Sequence, residues 1–162
     1  MRFDKTGLDV GVGYNQTDPA APVAATIYVY PAPPLISTGS PASVIAAARQ
    51  RLCKGEFERR KAELAAAHPG AALVEEKDVL LQRGGRQVAG KRAIYDYEAQ
   101  FGGKFTGPFT GVRVPVSSQV YVFCYVGGKW AIQYRFTSPR AVGSSGVIAS
   151  FLADLPWTIP EA

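Results

Sequence analysis

Five residues in the C-terminal half of the chain have side chains suited to acting together on a ligand: Asp96, Glu98, Lys129, Gln133 and Arg135. Asp96 and Glu98 alternate with Tyr95 and Tyr97, and Lys129, Gln133 and Arg135 alternate with Trp130, Ile132 and Tyr134. In a β-strand that period of two turns each polar set to one face. If the two strands share that face, the five residues form one polar cluster beside Val122 and Cys124. The simplest role for such a cluster is cross-strand ion pairing, worth about 0.2–1 kcal/mol per pair. Its functional role would be a binding site floored by the sheet, in which Arg135 offers a two-pronged donor to a carboxylate or phosphate. Asp96 or Glu98 would alternatively serve as acid or base in a small hydrolase, which needs them at the bottom of a concave pocket.

Other chemistries are poorly served by this sequence. Triads of the Ser/His/Asp or Cys/His kind need a histidine base, and His68 is the one histidine present. It sits beside Pro69 and Gly70 where a helix should end, a place for an exposed side chain favoured by the negative end of the helix dipole. One histidine and two unclustered cysteines do not make a zinc site. The segment from Gly85 to Lys91 mimics the start of a phosphate-binding loop, but Arg92 stands where Ser or Thr is required and a strand follows instead of a helix. Gly11-Val12-Gly13 lacks the third glycine of a dinucleotide fingerprint. Glu75, Glu76 and Asp78 have oxygens for a hard cation, but a solvated strand edge accounts for them more simply. Asn15-Gln16-Thr17 is a glycosylation sequon, relevant only in a eukaryotic secretory pathway. No cofactor is implied.

The 162 residues are 47% hydrophobic and 19% charged, which suits one domain over residues 1–162 with its own core. The net charge of +5 is spread along the chain, permitting a nucleic-acid partner without indicating one. Cys53 and Cys124 fit either two buried free thiols or one disulfide formed in an oxidising compartment. The N-terminus has no apolar core of secretory length, and no apolar run is long enough to span a bilayer. A cytoplasmic protein and the mature part of an exported one both fit.

The elements that must position these residues are readable from their periods. Leu8 to Tyr14 and Ala24 to Tyr30 alternate as a first strand pair, closed by Pro31 and Pro34. Ser40-Pro41 supplies an N-cap hydroxyl and a first-turn proline for an Ala-rich helix reaching about Ala67. Its apolar stripe slips by one position around Gly55, predicting a kink or short break near 54–56. Strands follow near 72–82 and 87–100 around Gly84-Gly85. A loop over 102–111 carries Lys104 and Phe105, two further candidates for partner contact. The centre is a hairpin over 118–137 with Gly127-Gly128 as a two-residue turn, which sets Val126 opposite Lys129, Tyr125 opposite Trp130 and Tyr121 opposite Tyr134. One face then carries Tyr121, Phe123, Tyr125, Trp130, Ile132, Tyr134 and Phe136, expected to pack against the long helix. Residues 147–155 form a closing helix.

The order β-β-α-β-β-β-β-α describes an α+β domain, an antiparallel sheet of about six strands with a long and a short helix packed on it. The opening hairpin, the long helix, the meander ending in Gly127-Gly128-Lys129-Trp130 and Tyr134-Arg135, and the Ile148–Leu152 helix resemble the PsbP-like, Mog-like α+β fold group. Tyr28-Val29-Tyr30 with Tyr134-Arg135-Phe136-Thr137 is also similar to small exported proteins of bacteria. The resemblance implies an adaptor or accessory subunit. The expectation is therefore a non-enzymatic binding module of a bacterial cell envelope, recognising a protein or small ligand and able to form homo-oligomers. A carboxylate-based hydrolase is the alternative, and a weak nucleic-acid binder, with steep salt dependence, the third reading.

Overall fold

The structure is a computed structural model and describes residues 2–3, 10–16, 18, 20–36, 38–83, 86–101, 109 and 111–154. Strands β1 (Arg2–Phe3), β2 (Val10–Gln16) and β3 (Val23–Pro31) precede helix α1 (Ala42–Ala67). Strands β4 (Ala72–Arg83), β5 (Arg86–Phe101), β6 (Val112–Val126) and β7 (Trp130–Pro139) follow, then helix α2 (Ser145–Asp154). All pair antiparallel in one seven-stranded sheet of order β1-β2-β3-β7-β6-β5-β4. The α+β class and element order are those expected, and the seventh strand is the two-residue β1.

The two helices cover opposite faces. Phe57 and Leu64 of α1 pack on Ala93, Tyr95, Tyr97, Val116, Val120 and Val122. Ile148 and Leu152 of α2 pack on Val23, Ala25, Tyr121, Phe123, Ile132, Tyr134 and Phe136. The aromatic face of the central hairpin thus belongs to the short helix, and the long one lies on the face of Val120 and Val122. Branched valines make a low, even floor for a long cylinder, whereas the bulkier rings interlock edge-to-face with one another and with Phe151.

The central hairpin departs from a two-residue turn. Residues 127–129 form the loop, Val126 pairs with Trp130, and the register slips between Phe123 and Val126. Two residues, Cys124 and Tyr125, therefore oppose Ala131 alone, a β-bulge. Tyr125 takes φ 57° there, and its side chain turns to the α1 side. Its hydroxyl donates to Pro33 O at 3.0 Å and its ring lies 5.1 Å from the Arg49 guanidinium.

Helix α1 begins one residue later than expected, with Pro41 at the cap position and no side-chain cap hydrogen bond. It runs unbroken through Gly55. Gly55 is exposed with nothing within 4 Å of its added Cβ, so its cost is local. The adjoining turn is braced by Glu56, which accepts from Arg59 at 2.7 Å and Arg60 at 2.8 Å. The register slip of the apolar stripe shows up instead as sparse burial, since Glu56, Phe57 and Leu64 are the buried residues of this 26-residue helix. Cys53 and Cys124 form a disulfide that joins α1 to β6.

Candidate functional site

Three backbone features converge on the rim of α1. Alternation in β7 places Arg135 on the α1 face, opposite Val120 of β6 and Thr26 of β3. In β5, Ala93 pairs with the same Val120, so Tyr95 and Tyr97 share that face. At the end of α1, Pro69 excludes the helical region for the residue before it. His68 leaves the helix at φ −131°, ψ 79° while its N–H still donates to Leu64 O at 2.9 Å. Gly70, at φ 89°, supplies the left-handed residue that completes the turn.

The His68 ring consequently folds back over the sheet rather than into solvent. It stacks on Tyr97 with centroids 4.2 Å apart, and its Nε2 lies 2.7 Å from Arg135 Nη2. The same Nη2 donates to the Tyr97 hydroxyl at 2.9 Å, and Arg135 Nε donates to Ser118 Oγ at 3.3 Å. Ser118 Oγ is 3.1 Å from Thr137 Oγ1. Arginine has no acceptor atom, so His68 Nε2 accepts and the imidazole carries its proton on Nδ1. Burial and the Arg135 charge both hold the His68 pKa below its ordinary 6.5.

Each of these partners of Arg135 is neutral, which sets this residue apart. The other half-buried arginines among the described residues are Arg60, paired with Glu56 and Glu63, and Arg92, paired with Glu75. Arg135 has no carboxylate in ion-pair range among the described residues. Two positions along the same face, Gln133 is 7% exposed, and its Oε1 is buried without a hydrogen-bond partner among the described residues. Beyond the pair, toward β2, the α1 face carries half-buried Thr26 and exposed Tyr28, Gly13 and Asn15. A Cβ on Gly11 would stand 3.1 Å from the Tyr28 ring, so glycine is what lets that ring lie across β2. The result is a half-buried, preorganised cation at the foot of an open shelf, an arrangement able to bind an anionic group.

The five-residue cluster expected from sequence is divided by the register. Gln133 and Arg135 share the α1 face, whereas Asp96 and Glu98 lie on the opposite one, because pairing through Val120 assigns the odd residues of β5 to Arg135. Asp96 Oδ2 is 3.3 Å from Arg140 Nε, and Glu98 is exposed. Lys129 is an exposed turn residue whose ammonium lies 5.7 Å from the Trp130 ring centroid. Lys104 and Phe105 lie outside the described residues. Glu75, Glu76 and Asp78 are split between the two faces and paired with Arg92, Lys61 and Lys91 respectively. Among the described residues, no three His, Cys, Asp or Glu side chains gather as metal ligands.

Tyr97, Ser118 and Thr137 are not among the candidates read from the sequence, and His68 is weighed there only as a catalytic base and set aside as an exposed helix end. The signal for His68 was the Pro69 after it, which forces a helix end to fold back, but its contact with Arg135 depends on a crossing angle that has no local signature. No protein-family model matches this chain, and no curated protein is significantly similar to it.

Proposed function

We propose that this protein is a non-enzymatic binding or accessory module of a bacterial cell envelope that recognises a ligand or partner through an anionic group at Arg135. The observation that carries this reading is a half-buried guanidinium held by His68, Tyr97 and Ser118 with no carboxylate partner among the described residues. A buried cation is normally neutralised by a paired acid. Here the fold holds the cation in place and leaves a second ligand to supply the charge. Tyr28, Thr26 and Gly13 beside it offer a flat surface for the rest of the bound molecule. The Cys53–Cys124 disulfide favours an oxidising compartment such as the envelope. The likeness in element order to PsbP-like accessory subunits points the same way.

The reading is tested by titrating isotopically labelled, oxidised protein with sulfate and with acetate. Amide shifts confined to the end of α1 and the middles of β6 and β7, and abolished by Arg135→Gln, are the expected result. Perturbations scattered over the surface lysines, or unchanged in the variant, would overturn it. The hydrolase reading needs Asp96 or Glu98 at the bottom of a concave pocket, whereas Glu98 is exposed and Asp96 Oδ2 lies 3.3 Å from Arg140 Nε.

A further inference from the structure

We propose that His68 is a proton-operated gate on Arg135, so that anion binding at this corner takes up one proton. The inference rests on the anion site proposed above and adds its regulation. Nε2 of neutral His68 accepts a hydrogen bond from Arg135 Nη2 at 2.7 Å, so one of the prongs that would grip an anion is committed to the imidazole. Protonation at Nε2 removes the acceptor and sets two cations side by side. The pair is then relieved by a single negative group that accepts from both, and the Tyr97 hydroxyl, which accepts from Arg135, has its own hydrogen to donate to the same group.

The surroundings of His68 allow this exchange. From β5 the ring faces Tyr97, and from β7 it faces Arg135. From β6, neutral Ser118 backs the guanidinium. On α1 itself, Glu63 is engaged by Arg59 and Arg60, and Lys61 by Glu58 and Glu76. Asp96 and Glu98 belong to the other face of the sheet. No described acid near the ring would neutralise the new charge in place of a ligand, and the last carbonyls of α1 are a weak attraction for it.

The probe is sulfate, which does not titrate in the range of interest. Sulfate should bind at least about fivefold more tightly near pH 5 than near pH 7.5, in the usual range of coupling between two sites. By reciprocity, saturating sulfate should raise the His68 pKa followed by its ring resonances, a change that a purely structural histidine would not show. His68→Gln, neutral at every pH, should flatten the pH dependence. Sulfate binding that is independent of pH, or that leaves the His68 resonances on the same titration curve, would overturn the gate while leaving the anion site standing. Absence of sulfate binding at either pH would overturn both.

Discussion

Cys53 is bonded to Cys124, so the middle of α1 is fastened to β6 at the residue where the strand bulges. The apolar anchor of this helix is thin, with Phe57 and Leu64 its buried hydrophobic residues, and the disulfide supplies what packing does not. It closes a loop of 71 residues, for which chain entropy gives a stabilisation of about 4 kcal/mol. Urea unfolding of the Cys53→Ala/Cys124→Ala protein should show a loss of that order, with α1 amides exchanging before those of the central strands. Equal stability with and without the bond would mean that the unfolded chain is already constrained.

Much of this architecture was legible because hydrophobic period is a local signal. Alternation gave β2, β3, β5 and the central hairpin, and Pro69-Gly70 marked the end of α1. What was lost depended on non-local choices. The positive φ of Tyr125 turned a two-residue turn into a three-residue loop with a bulge, and no propensity predicts that for a tyrosine. The side assigned to Asp96 and Glu98 hinged on the β5/β6 register, where an offset of one residue exchanges faces. Two apolar faces on one hairpin likewise leave undecided which helix takes which. Arg135 was legible as a cation on a sheet face, and its partners were not.

Gly90 is a packing requirement rather than a turn. A Cβ there would lie 2.4 Å from the Phe123 ring and 2.7 Å from Val122 O, so the ring rests directly on the β5 backbone. Gly90→Ala should destabilise by about 1–3 kcal/mol through overpacking. Gly13, with nothing within 4 Å of its added Cβ, is the internal control, and Gly13→Ala should be neutral or raise stability by up to about 1 kcal/mol. Thermal unfolding of the two variants decides the matter, and similar behaviour would show that Phe123 moves aside freely.

Two titrating groups, His68 held neutral and Glu56 held ionised, are both deprotonated in the fold and give it the same acid sensitivity. The His68 pKa is depressed in the folded protein, so the unfolded chain binds the proton first. Stability should be full above 6.5 and fall as pH drops from there to the folded value. For Glu56, burial alone would raise the pKa, but hydrogen bonds from Tyr30 and Arg59 and the charges of Arg60 and Arg59 hold it below 4.5. Its contribution is present above that pH and is lost as pH falls through the lower folded value. Urea midpoints measured from about pH 8 down to pH 3 should therefore fall in two stages, with His68→Gln removing the upper one alone. A midpoint flat between about pH 7 and 5 in the parent protein would contradict the neutral, Arg135-bonded state of His68.

Gln133 lets stability and the proposed anion binding be tested with one variant. Its Oε1 is buried without a partner among the described residues, on the face it shares with Arg135, and an unsatisfied buried acceptor costs about 1–3 kcal/mol. Gln133→Met keeps the side chain's length and removes the orphan. Unfolding free energy should therefore rise by about 1 kcal/mol. If the proposed ligand brings a donor to this acceptor, the same variant should lose affinity for ligands carrying an N–H or O–H beside the anion. Its affinity for acetate, which has no such donor, should change far less. A fall in stability on Gln133→Met would show that the acceptor is satisfied in solution and that Gln133 belongs to the core.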